Sequence, residues 1–263
     1  MTAPGIESAM RLALEQAQRV KGTTYPNPPV GAVILGADGD VAGVGATEPV
    51  GGPHAEVMAL RAAGPRAAGG TAVVTLEPCS HHGRTPPCVG ALLDAGVAAV
   101  VFAVEDPNPD AGGGADRLRA AGVTVTGGIC GAEAASGVLR EWLHKQQTGL
   151  PYVTWKFATS VDGRSAAADG SSQWITSDAA RADVHRRRAA ADAIVVGTGT
   201  VLSDNPTLTA RLADGALAEH QPLRVVVGQR EIAPEANVLN DDSRTMVLST
   251  HDPHEVLRAL SGR

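Results

Sequence analysis

The chain has 263 residues and a formal net charge of −6, with 43% hydrophobic and 19% charged residues, the balance of a globular protein. That length suffices for two modest domains. Aromatic residues make up only 3% of the chain, which together with the net acidity argues against a binder of single-stranded nucleic acid.

Global acidity still allows a local phosphate site, so a small diffusible substrate is expected, with no nucleic-acid or membrane partner. Three cysteines give no disulfide framework and point to a reducing cytoplasm. Glu7 and Arg11 interrupt any apolar start, so no signal peptide is expected, and no apolar stretch approaches membrane-spanning length. The abundance of alanine and glycine is read as a compositional bias.

In chain order, the first predicted element is an amphipathic helix over Ser8–Val20, with Met10, Leu14 and Ala17 on one face. Strands are predicted at Val30–Leu35, Val41–Gly45, Ala72–Leu76, Val97–Val104 and Val123–Thr126, alternating with helices. His54 and Cys88 each open a helix. Gly112-Gly113-Gly114 reads as a turn before a helix at Ala115–Ala121, and a further helix is predicted over Glu133–Gln146. This is a three-layer α/β/α pattern. Thr148-Gly149-Leu150-Pro151 marks a boundary, a C-cap glycine followed by a breaker, dividing the chain into domains 1–147 and 148–263. The second domain opens on a predicted strand, Tyr152–Thr159. It continues with a basic helix from Ser177 to Ala191, strands at Ala193–Val196, Leu223–Val227 and Thr245–Leu248, and a helix at Pro253–Leu260.

The chemistry concentrates in His54-Ala55-Glu56, Pro78-Cys79 and Cys88. A catalytic zinc keeps three protein ligands and leaves one position for water, whose pKa it lowers. His54, Cys79 and Cys88 are the candidate ligands. Glu56, two residues from His54, points elsewhere and can move protons between water, a ring nitrogen and a departing amine. Two ligands at helix N-termini sit near positive dipole ends, which favours thiolate. A closed structural zinc, with His81 or His82 as fourth ligand in a non-catalytic scaffold, is the alternative reading. Cys130 has no ligand-like neighbour and reads as a small buried hydrophobe.

The usual zinc-deaminase spacing is Cys-x-x-Cys, whereas here eight residues separate Cys79 from Cys88. That long loop, with Thr24-Tyr25-Pro26-Asn27-Pro28-Pro29-Val30-Gly31 upstream and Asp106-Pro107-Asn108-Pro109 downstream, resembles the RibD family of bifunctional riboflavin biosynthesis proteins. The resemblance runs from about Ser8 to Arg263. It implies a cytidine-deaminase-like first domain that hydrolytically deaminates a diaminopyrimidinone carrying a ribosyl phosphate. It implies a second, dihydrofolate-reductase-like domain that reduces the ribosyl group with NADPH. A deaminase acting on a nucleoside or nucleotide is the alternative from the same chemistry. By resemblance, Asn27, His81, Arg84, Asp106 and Asn108 line the pyrimidine and phosphate pocket. An Asn amide can read a ring edge and Arg84 can pair with phosphate. On the residues alone, Asn27, Asp106 and Asn108 also read as turn formers beside prolines.

In the second half, Lys156–Arg164, Ser172–Thr176 and Gly197–Pro206 are similar to the family's reductase motifs. Carried over by position, Ala158, Trp174, Thr200 and Asp204 contact NADPH. Lys156, Ser172, Arg188, Leu208 and Arg211 contact substrate, with Arg188 and Arg211 as phosphate clamps. Residues alone also allow a solvated basic helix face at Arg186-Arg187-Arg188 and a core Trp174. The family continues beyond Ser261-Gly262-Arg263 with further strands, so this domain reads as incomplete, with weak or absent reductase activity expected. The family assembles through its reductase domain, and a homodimer is the implied assembly.

Overall fold

The computed structural model describes residues 3–83, 85–172 and 174–261. They form two compact units, residues 1–152 and 153–263.

In the first unit, helix α1 (Ala3–Arg19) packs on a five-stranded sheet of order β2-β1-β3-β4-β5. The strands are β1 (Gly31–Leu35), β2 (Val41–Ala46), β3 (Thr71–Leu76), β4 (Ala99–Val104) and β5 (Thr124–Gly127). All five predicted strands form, because each is a short β-branched or apolar run bounded by turn residues. β1 pairs antiparallel with β2 and β3, and β3, β4 and β5 run parallel. Every residue of β3 is buried, as expected for a strand covered on both faces. Between the strands lie α2 (Ala55–Ala63), α3 (Cys88–Asp94) and α4 (Gly114–Ala120).

Several glycines have a packing role beyond composition. A Cβ on Gly31 would lie 1.9 Å from the Ala13 carbonyl oxygen of α1, and one on Gly45 would lie 2.4 Å from the Ala59 nitrogen of α2. Their absence lets both helices lie directly on the sheet. The same closeness makes Ala13, fully buried, the centre of the inward face of α1, while Leu14 sits half-buried at its margin.

The helix predicted over Glu133–Gln146 is two helices, α5 (Gly131–Ser136) and α6 (Arg140–Thr148). Gly137, with φ −104° and ψ −110°, leaves the helical region and breaks it. α6 ends at Gly149 in the left-handed conformation, the expected C-cap. Cys130 is half-buried at the left-handed N-cap of α5, and so is not the buried hydrophobe expected.

The second unit holds a parallel sheet, β6-β7-β8, of β6 (Ala193–Gly197), β7 (Leu223–Val227) and β8 (Thr245–Leu248). Its helices are α7 (Asp178–Ala189), α8 (Thr198–Asp204) and α9 (Pro253–Ser261). The buried core is small, centred on Val201, Leu208, Val226 and Val238. Arg224 of β7 is fully buried. It donates to the Thr207 and Asn240 carbonyl oxygens, to Asn240 Oδ1 at 2.8 Å and to the Ser243 carbonyl, tying the loops at one end of this sheet together.

The predicted strand Tyr152–Thr159 does not form. A strand is completed by its ladder partner, and among the described residues nothing pairs with this segment. Val153, Trp155 and Phe157 are 78%, 81% and 60% exposed, with the two rings 4.7 Å apart.

Candidate active site

The first unit's site lies beyond the C-terminal ends of β3 and β4, the place where parallel α/β sheets gather ligands. The two strands run in register, Leu76 opposite Val104, so the residues that follow each emerge side by side. β3 delivers Glu77, Pro78 and Cys79, and β4 delivers the Asp106–Asn108 loop. His54 is the extended N-cap of α2, and Cys88 is the first residue of α3.

These placements bring one His54 ring nitrogen and the Cys79 and Cys88 sulfurs within 4.8 Å of one another. His54 Nδ1 faces both thiols, 3.2 Å from Cys88 Sγ and 3.6 Å from Cys79 Sγ. The other ring nitrogen, Nε2, lies 3.3 Å from Thr85 Oγ1. With Nε2–H donating to that hydroxyl, the Nδ1 lone pair is left free for a metal. The Cys88 backbone N–H donates to Cys79 Sγ at 3.4 Å. The Cys88 thiol and then His54 hydrogen-bond the Cys79 sulfur, and against its burial they hold it down at about 4, while Cys88 beside that thiolate is pushed up. The hydrogen bond to Cys79 raises His54. One imidazole nitrogen and two sulfurs, one of them a ready thiolate, form a donor set that fits zinc. Among the described residues the cluster includes neither His81 nor His82, and His82 is exposed, so no closed four-ligand site forms.

Glu56, on the first turn of α2, is 4% exposed. Burial, and then the charge of Cys79, push its carboxyl up to about 7. His54, Cys79 and Glu56 all line one cavity of about 290 Å³.

Asn27, His81, Asp106 and Asn108 line the same cavity. Asn27 closes a turn with its N–H on the Thr24 carbonyl at 2.9 Å, and Asp106 Oδ1 accepts the Asn108 N–H at 2.9 Å. They are turn formers and cavity residues at once. Burial raises the Asp106 carboxyl. Arg84 lies outside the described residues. Sequence reasoning missed Thr85 as the partner of His54, and Trp142 and Gln146, one turn apart on α6, which also line the cavity. A histidine ligand needs an outer partner, which was a usable signal for Thr85. Trp142 carries no motif and comes from a helix far along the chain.

In the second unit, the structure gathers Arg188, Leu208 and Arg211 around one segment. Arg188 Nη1 donates to the Thr209 carbonyl at 3.1 Å, and the Arg211 N–H donates to His185 Nδ1 at 3.2 Å. Leu208 between them is buried with φ 55°. Arg186 and Arg187 pair with Asp183, as a solvated basic face would. Thr200 and Asp204 lie exposed on α8. Lys156, Ser172 and Trp174 are exposed and Ala158 half-buried, in a stretch without strands. Trp174 is 70% exposed under the Arg181 guanidinium, so it is not a core residue. Gln173 lies outside the described residues.

Comparison with known proteins covers both halves. Residues 5–104 match the cytidine and deoxycytidylate deaminase zinc-binding region, and residues 151–263 match the RibD C-terminal domain. The riboflavin biosynthesis protein RibD of Mycobacterium tuberculosis is 68% identical over 258 residues, covering 98% of this chain and 76% of the relative. The form 1 structure of Acinetobacter baumannii RibD superposes with a TM-score of 0.88 at 40% identity, covering 99% of this chain and 78% of that one. A Thermotoga maritima diaminohydroxyphosphoribosylaminopyrimidine deaminase/5-amino-6-(5-phosphoribosylamino)uracil reductase superposes with a TM-score of 0.91 at 35% identity, covering 99% and 79%. A zinc-fitting donor set beside a buried carboxyl, and likeness along the whole chain to proteins that join these two domains, have one common reading: the chain belongs to the RibD family of riboflavin biosynthesis enzymes, a zinc-dependent deaminase domain followed by an NADPH-dependent reductase domain.

Proposed function

We propose that His54 Nδ1, Cys79 Sγ and Cys88 Sγ hold the zinc, and that Glu56 is the proton carrier in hydrolytic deamination of a diaminopyrimidinone bearing a ribosyl phosphate. The observation that carries this reading is the buried Glu56 carboxyl in the same cavity as the ligand cluster. Zinc, when bound there, acidifies water toward neutral pH. Water oxygen adds to the ring carbon that bears the amine, the carbon–nitrogen bond breaks, and ammonia leaves. Glu56 carries one proton from water to the ring nitrogen and then, as the carbonyl forms, carries the proton of the added hydroxyl to the departing amine. Its raised pKa suits a group that must both accept and donate near neutrality. Asn27, Asp106 and Asn108 present amide and carboxyl groups to the ring edge, and His81 and Arg84 serve the polar and phosphate end. Trp142 and Gln146 form a wall of the cavity. Domains are assigned as 1–147 for deamination and 148–263 for reduction.

In the reductase half, Ala158, Trp174, Thr200 and Asp204 are proposed for NADPH. Lys156, Ser172, Arg188, Leu208 and Arg211 are proposed for substrate. Low aromatic content and net acidity favour a small-molecule partner over nucleic acid, and the free cysteines Cys79, Cys88 and Cys130 suit a reducing cytoplasm. A homodimer is the proposed assembly.

Glu56→Ala tests the central assignment. It is expected to keep stoichiometric zinc while ammonia release falls by roughly two to four orders of magnitude. Deamination at the wild-type rate would remove Glu56 from the mechanism.

A further inference from the structure

Glu77 has no role in the chemistry above, yet it is a buried carboxylate next to the metal cluster, 8% exposed, at the tip of β3. Among the described residues no Lys, Arg or His lies within ion-pair distance of it. Its partners are backbone amides. Oε2 accepts the Asp106 N–H at 3.2 Å, and Oε1 accepts the Ala115 N–H at 2.9 Å. Its own N–H donates to the Val104 carbonyl at 2.8 Å, which carries the β3–β4 ladder one step past the strands.

Asp106 and Ala115 bracket a loop that has few other anchors. Inside the loop, Asp106 Oδ1 holds the Asn108 N–H, and the Asn108 carbonyl accepts the N–H groups of Ala111 and Gly112. The second line of anchors comes from Ser80, whose N–H donates to the Ala111 carbonyl at 3.0 Å and whose hydroxyl donates to the Gly112 carbonyl at 2.7 Å. The loop closes so tightly on the strand tip that a Cβ on Gly114 would lie 1.8 Å from the Pro78 carbonyl oxygen. One carboxylate therefore grips both ends of the segment that carries Asp106 and Asn108. The same strand tip presents Cys79.

We propose that Glu77 is a positioning residue for substrate: its two oxygens set the Asp106–Asn108 loop at a fixed height above the metal-bearing strand tip, so that the pyrimidine edge is read where the amine meets the cluster. The inference rests on the reading that Asp106 and Asn108 contact the ring. It requires a residue with two acceptor oxygens. Glutamine has the same shape but only one, and its amide NH₂ would confront a backbone N–H.

The test is Glu77→Gln, assayed for zinc content and for deaminase kcat and KM on the ribosyl-phosphate diaminopyrimidinone. The variant is expected to bind stoichiometric zinc, to raise KM roughly tenfold or more, and to change kcat per zinc by less than about threefold, because the ring is held less well in ground and transition states alike. Glu77→Asp keeps two oxygens on a shorter stem and is expected to fall between wild type and Glu77→Gln in KM. An unchanged KM in zinc-loaded Glu77→Gln overturns the proposal. So does loss of zinc with an unchanged KM in the remaining holoenzyme, or failure of both variants to give soluble protein, since Glu77 would then be a framework residue. Asp106→Ala separates the two readings. If it leaves KM unchanged, the substrate role of the loop is wrong. If it raises KM while Glu77→Gln does not, only the inference about Glu77 fails.

Discussion

At the residue scale, the site is a set of groups that move one another's protonation. With the metal removed, Glu56 has a folded pKa of about 7 against an ordinary value of 4.5, chiefly through burial. A raised pKa contributes stability that is full below the ordinary value and is lost as pH rises through the folded one. The difference corresponds to roughly 3 kcal/mol. Cys79, held at about 4 by its hydrogen bonds, has the opposite slope over the same window. The informative quantity is therefore the difference between wild type and Glu56→Gln in chelator-treated protein. Denaturant unfolding from about pH 5 to about pH 8 is expected to show Glu56→Gln gaining on wild type as pH rises. A constant difference across that range would mean that the carboxyl is solvated. The gathering of His54, Cys79 and Cys88 near Glu56 was legible in the sequence, because zinc chemistry needs those residue types in that order. Glu77 was legible only as a residue delivered by β3, since nothing in a sequence says which amides a carboxylate will meet.

At the scale of elements, the first unit reads well because its signals are local. β1 and β4 are unbroken apolar runs, β3 is apolar or β-branched throughout, and His54 and Cys88 stand at helix starts with apolar residues following at helical spacing. Where the signal is not local, the reading fails. Gly137 was an ordinary helical position by pattern, and only its backbone geometry reveals two helices. Tyr152–Thr159 has the composition of a strand, but strand formation depends on a neighbour that composition does not specify. The glycines of β1 and β2 were similarly opaque, because a close approach is a property of two elements. Gly45→Val is expected to destabilise the first unit by about 2 kcal/mol or more, since the new side chain meets the α2 backbone rather than a movable side chain. Thermal unfolding within about 1 °C of wild type would show that α2 can withdraw from the sheet at little cost.

At the scale of the whole molecule, the two units carry different loads of burial. The first has a continuous core from α1 through β5, while the second centres on four buried side chains and leaves Val153, Trp155, Phe157 and Trp174 exposed. Two α/β domains were legible from the alternation of elements, and the resemblance named both activities. The unequal burial was not legible, because exposure depends on which segments find partners. Among the described residues no ladder holds the segment proposed to carry Lys156 and Ala158, and a cofactor site on it lacks the rigid support that binding requires. The 263-residue chain is therefore expected to release ammonia from its substrate while oxidising NADPH slowly or not at all. Mass spectrometry of the product and absorbance of NADPH read both steps in one incubation. Reduction at an ordinary enzymatic rate, median about 10 per second, would show that the segment needs no ladder.

The tryptophans, so few in this chain, divide along the same line. Trp142 is the sole tryptophan of residues 1–152, and it borders the deaminase cavity; the other two are exposed to water. Replacing Trp155 and Trp174 by phenylalanine leaves a single indole emitter, on the wall of the cavity proposed for the pyrimidine. Its emission would then report occupancy of the cavity directly, without turnover and without a label.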